Sequence, residues 1–119
     1  MKARPLSITI IGWFFLIFGS IALVSGLLPL LNATTAQRVV DLKSHWIVHV
    51  SRMTEIVAGL FLVRGYNWAR WLLVVWMAGH IVIAALHSVL QLTIHVVIFS
   101  VILFFLFRRP ASEYFSSRV

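Results

Sequence analysis

Five ionisable side chains stand within otherwise apolar stretches: His49, Arg52, Glu55, His80 and His95. A carboxylate, a guanidinium and imidazoles can together bind a polar ligand or relay a proton, and imidazoles can also ligate a metal or a haem iron. Arg52 and Glu55 are three residues apart, a spacing that lets them pair along one helix face. A metal would need ligands from separate segments, because no H-E-x-x-H or comparable spacing occurs. No catalytic residues are assigned: no serine has a histidine and a carboxylate at a recognisable spacing, and no glycine-rich phosphate loop is present.

The elements that carry these groups follow from composition. The chain has 119 residues, of which 61% are hydrophobic and only 11% charged, and its mean hydropathy is +1.01. A soluble domain is about half apolar and about a quarter charged, so water is not the main solvent here. Residues 6–31 carry no formal charge, and neither do residues 71–107. A helix of about 20 apolar residues crosses a bilayer. The second stretch would form a rod of about 55 Å and must fold back once. With a further segment at 46–63, four spans result. The chain is therefore predicted to be an all-α, polytopic membrane protein, a single four-transmembrane-helix bundle over residues 1–119. Its helices are expected at about 6–31, 36–64, 68–87 and 90–107, with a short, polar, partly disordered tail at 108–119. The first apolar run is much longer than the ~7–15 residues of a signal-peptide core, so it is read as a retained helix.

Charge gives the orientation. With four alternating spans, Lys2, Arg4, Arg64, Arg70, Arg108, Arg109 and Arg118 lie on one side, and Arg38 and Lys43 on the other. By the positive-inside rule both termini are cytoplasmic, which for a bacterial chain means the inner membrane. The net charge of +7 is accounted for in this way. Nucleic acid is not expected as a partner, since basic residues are not interleaved with aromatics on a soluble surface. The absence of cysteine excludes disulfides and thiolate metal sites.

Local signals place the helix ends. Pro5 suits a first helical turn. Thr34 with Gln37 and Ser88 with Gln91 have the spacing of capping boxes. Gly65-Tyr66-Asn67 reads as a turn, with Asn67 as the N-cap of the next helix. Gly12, Gly19 and Gly26 recur every seven residues, and with Gly59 they mark surfaces where membrane helices approach closely. If Trp46, His87 and Leu90 mark the outer membrane surface, the five ionisable groups lie about 5–14 Å below it. They would form one layer in the outer half of the bundle.

The run Glu55-Ile-Val-Ala-Gly59-Leu-Phe-Leu62-Val-Arg-Gly65, with Gly12-Trp-Phe-Phe15, Gly19, Arg70 and Met77, resembles the DoxX-like small membrane proteins over residues 8–85. Ser25 and Gly26 stand where that family commonly has a lysine. The resemblance implies a compact four-helix bundle. It also implies a group in which some members are small subunits of quinone-linked oxidoreductases, and it carries over a functional glutamate to Glu55.

The leading expectation is a ligand-binding or accessory subunit of a membrane complex, or a homo-oligomer, with little enzymatic activity of its own. Arg52 would face a quinone carbonyl or an anion, Glu55 would orient Arg52 or take a proton, and His49, His80 and His95 would hydrogen-bond or relay protons. The rival expectations are a small transporter or channel with Glu55 as coupling residue, a haem protein with two opposed histidines, and a scaffold in which the polar groups only set helix register.

Overall fold

A computed structural model describes residues 3–117. Lys2 and Arg118, two of the seven cations assigned to one side, lie outside the described residues. The order of elements is α1 (Leu6–Leu27), a 3-10 turn (Leu28–Asn32), α2 (Thr35–Val63), α3 (Asn67–His87), α4 (Val89–Phe107) and α5 (Arg109–Ser116). The described residues contain no strand. Four helices are long and apolar enough to cross a membrane, and the exposed surface is rich in Leu, Ile, Val and Phe. Such a surface suits lipid and not water. At 29 residues, α2 is about 43 Å long. It exceeds the ~30 Å hydrocarbon thickness of a bilayer, and its first turns carry the charged Arg38, Asp41 and Lys43.

Side-chain chemistry fixes the ends. Thr34 and Gln37 form the full capping box: the Thr34 hydroxyl accepts from Gln37 N at 3.3 Å, and Gln37 Oε1 accepts from Thr34 N at 2.8 Å. Arg38 donates to the Leu30 and Leu31 carbonyls at 2.9 and 3.2 Å, satisfying the end of the 3-10 turn. Replacing Thr34 with Ala removes the cap, with an expected cost of about 1 kcal/mol. Amide hydrogen exchange should then quicken in residues 35–38 and stay unchanged in α4. Ser88 caps α4 by accepting from Gln91 N at 3.1 Å. Gly65, with φ of 85°, makes the α2–α3 turn in a conformation other residues resist. Asn67 is not the N-cap of α3. Tyr66 holds that position without a side-chain hydrogen bond, and the Asn67 carboxamide instead accepts from Arg70.

Consecutive helices pack against each other, α1 most extensively on α2, while α1 and α4 meet only sparsely. The Cα extents of 51 × 33 × 18 Å describe a flattened bundle. Hydrogen bonds identify one end of it. Arg4 reaches the Val63 carbonyl at 2.7 Å, Arg70 the Leu106 carbonyl at 3.2 Å, and Arg108 the Ser7 hydroxyl at 3.3 Å. The start of α1, the end of α2, the start of α3 and the end of α4 thus meet at a single basic end.

Most of the core gathers at this end. Ile8, Leu62, Leu73, Leu106, Tyr114 and Phe115 are fully enclosed. Residues 109–116 are helical and not part of the polar, partly disordered tail expected at 108–119. Pro110 in the first turn starts α5, and Ala111, Tyr114 and Phe115 turn inward to close the bundle. Arg70, only 8% exposed, ties the closure together. Its Nε and Nη2 donate to Asn67 Oδ1, and its Nη1 donates to Leu106 O and Ser112 Oγ. Its guanidinium lies 4.8 Å from the Phe107 ring centre and 4.7 Å from that of Phe115, within cation–π range. Toward the opposite, distal end few side chains are fully buried, and the helices leave recesses.

Candidate ligand-binding site

The glycines set how closely α2 approaches α1. A Cβ on Gly59 would stand 2.7 Å from both Gly12 O and Leu16 N, and one on Gly12 would collide with the Val63 side chain. One heptad on, Gly19 lies under Glu55, whose Cγ would be 3.2 Å from an added Cβ; one heptad further, Gly26 lies under the Arg52 guanidinium. The seam therefore sets α2 at its height on α1 and accommodates the two charged side chains where α1 has no side chain.

Arg52 and Glu55 make no contact of ion-pair length, although their spacing allows one; Asp41 instead lies against His45 and His49, and Glu113 pairs with Arg109. The two residues line separate recesses. The distal recess, about 200 Å³, is bounded by Gly26, Asp41, His45, Val48, His49 and Arg52. Asp41 Oδ1 lies 3.0 Å from His45 Nδ1, and Asp41 Oδ2 lies 3.6 Å from His49 Nε2. Both His49 ring nitrogens are buried without a hydrogen-bond partner.

The second recess, also about 200 Å³, lies among all four long helices. Phe14, Phe15 and Phe18 come from α1, Glu55 from α2, Trp76, Met77 and His80 from α3, and His95 and Ile98 from α4. Its aromatic wall is held from behind. The Trp76 indole donates to Ser51 O at 2.9 Å and Ser51 Oγ at 3.0 Å. On its flanks are the Phe15 ring at 5.7 Å, edge-on, and the His80 ring at 3.9 Å, tilted by 34°. An indole so fixed offers a rigid apolar face at little entropic cost.

The polar groups of this recess have a definite hydrogen-bonding character. His80 Nδ1 donates to the Trp76 carbonyl at 3.0 Å, and His95 Nδ1 donates to the Gln91 carbonyl at 2.8 Å. A carbonyl can only accept, so each Nδ1 carries a proton, and on a neutral ring Nε2 remains as an acceptor. With both rings neutral, the recess offers two imidazole acceptors beside Glu55 and is walled by aromatic rings.

The five residues named from sequence are consequently divided. Glu55, His80 and His95 share the aromatic recess, whereas His49 and Arg52 join Asp41 and His45 in the distal one. Arg52 thus lines the distal recess and Glu55 the aromatic one. The three histidines do not converge, and no group of three or more His, Asp or Glu side chains among the described residues is placed to hold a metal ion. A volume of about 200 Å³ falls below the ~300–1,000 Å³ of pockets for drug-sized molecules. It suits a single-ring head group and not a haem macrocycle. Trp76 and the phenylalanines were not singled out as site residues from sequence. The one local signal was Trp76 standing four residues before His80, which places the two on one helix face. No family model, curated protein or solved structure matches the chain.

Proposed function

We propose that the protein is a ligand-binding accessory subunit of a membrane complex and that the aromatic recess holds the head of a quinol-type amphiphile. The observation that carries this reading is the pairing of a Trp76–Phe15 wall with the acceptors Glu55, His80 and His95 in a recess of about 200 Å³. A phenolic hydroxyl donates, and this site accepts. The aliphatic tail of such a molecule leaves the recess toward lipid, for which the outward-facing Leu, Ile and Val side chains are suited. The resemblance to DoxX-like proteins, some of which serve quinone-linked oxidoreductases, points the same way. In this reading the chain crosses a bacterial inner membrane four times with both termini in the cytoplasm, as the basic end formed by Arg4, Arg64, Arg70, Arg108 and Arg109 favours.

Decyl-ubiquinol titrated into the detergent-solubilised protein should quench tryptophan fluorescence to saturation. Glu55→Ala and His95→Ala should each weaken binding by about tenfold, the worth of one hydrogen bond to a charged or strongly polar partner. Arg52→Ala should bind as wild type does. If the Glu55 and His95 variants fold and bind decyl-ubiquinol unchanged, the reading fails.

A second reading is proton-coupled transport. It is favoured by the succession of Asp41, His45, His49 and Arg52 in the distal recess, followed by Glu55, His80 and His95 deeper in the bundle. Ionisable groups inside membrane bundles commonly line such paths. Proteoliposomes that acidify only when Glu55 is intact would support it.

A further inference from the structure

The sparse contact between α1 and α4 leaves a groove of about 410 Å³ near the basic end. Ile10 on α1 and Val101, Ile102 and Phe105 on α4 form its apolar walls, and Ser7 and Arg108 lie at its polar end. Its volume is in the range of small-molecule sites. Arg108 directly follows the last residue of α4, which puts it at headgroup depth if the long helices span the bilayer.

Among the described residues, no acidic side chain lies at the polar end. The Arg108 guanidinium lies 4.8 Å from the Phe105 ring centre and gives one hydrogen bond to Ser7, but its buried Nε has no acceptor. The chain has only three acidic side chains, and each is placed elsewhere. Asp41 contacts His45 and His49 at the distal end, Glu55 lines the aromatic recess, and Glu113 pairs with Arg109. The start of α1 adds to the imbalance. It has neither a side-chain cap nor an acidic residue in its first turn; Ile8 N and Thr9 N donate to Pro5 O, but no acidic side chain there offsets the positive end of its dipole.

We propose that the α1–α4 groove binds an anionic phospholipid, with the phosphate on Arg108 and Ser7 and one acyl chain along Ile10, Val101, Ile102 and Phe105. The apolar walls select a lipid over free phosphate, and the unmatched guanidinium selects an anionic over a zwitterionic head group. Basic pockets between membrane helices recognise lipid head groups in this way. The site is separate from the aromatic recess and does not depend on what that recess binds.

Native mass spectrometry of the protein released from mild detergent tests this with phosphatidylglycerol and phosphatidylcholine of identical chains. Wild type should retain phosphatidylglycerol by about fivefold over phosphatidylcholine, the ratio expected of one basic residue facing an anionic head group. Arg108→Gln should abolish the preference. Arg109→Gln should keep it, because Arg109 is exposed and paired with Glu113. Ile102→Trp keeps the charge but fills the groove, and should reduce retention of both lipids. Equal retention of the two lipids by wild type would overturn the proposal, as would an undiminished preference in Arg108→Gln. Should Arg108→Gln not fold, unchanged lipid retention by Ile102→Trp overturns it and reduced retention upholds it. Cross-linking of Ile102→Cys into a dimer that excludes phosphatidylglycerol would assign the groove to a second copy of the chain and overturn it too.

Discussion

Arg70→Met is expected to destabilise the folded bundle by about 3 kcal/mol, because the guanidinium supplies hydrogen bonds that its partners cannot replace. Asn67 Oδ1 and the Leu106 carbonyl would each lose a charged donor. The cation–π contacts to Phe107 and Phe115 would be lost with them. The methionine side chain fills similar space, so the loss reports on polar contacts more than on a cavity. Arg70→Lys should recover only part of it, since an ammonium keeps the charge but cannot reproduce the planar fork. The effect should appear as a lower midpoint in detergent-induced unfolding and as faster proteolysis within α5, the element that the guanidinium joins to α3 and α4. An Arg70→Met protein that unfolds with wild type would show that the contacts with Asn67, Leu106 and Ser112 carry no stability.

Gly59→Ala should be comparably damaging, by about 1–3 kcal/mol, the usual cost of overpacking. The added methyl would meet backbone atoms of Gly12 and Leu16, and backbone cannot rotate away. The helices would have to separate. Gly12→Ala should cost somewhat less, because its hardest contact is the Val63 side chain and the backbone atoms Gly59 O and Val63 N stand further off, at 3.2 and 3.3 Å, than those that meet a Cβ on Gly59. Gly79→Ala is the control: nothing lies within 4 Å of the added carbon, and alanine is the better helix former. Unfolding midpoints should therefore fall in the order Gly79→Ala, Gly12→Ala, Gly59→Ala. Separation of α1 from α2 also moves Glu55, so Gly59→Ala should weaken decyl-ubiquinol binding although residue 59 does not line the recess. A Gly59→Ala protein as stable as Gly79→Ala would contradict the tight seam.

The tail and the polar layer show where sequence reading stopped. Residues 109–116 are polar enough on average to pass for disorder, and a helix of eight residues is too short to stand alone in water. Its stability comes from burying Ala111, Tyr114 and Phe115 against helices distant in sequence. The ionisable layer was read through depth, which follows from counting residues along a helix. Which recess a side chain enters depends also on its direction around the helix axis and on the neighbour it meets. Arg52 extends over Gly26 and Glu55 packs beside Gly19, so two residues at similar depth serve different recesses.

The linear chain itself determined the features that arise from hydropathy and short-range chemistry. These are four long apolar helices, the Thr34–Gln37 box, the Ser88 cap, the turn at Gly65, the seven-residue glycine stripe and the concentration of cations at alternate helix ends. Each depends on residues a few positions apart or on a running average, so it can be read without knowing what packs on what. Tertiary structure alone decided the Arg70 closure with α5, the division of the ionisable groups between two recesses, the Trp76 wall fixed by Ser51 and the unmatched Arg108 in the α1–α4 groove. These depend on the angles and spacing at which helices pack, which are set by side-chain fit across the whole bundle.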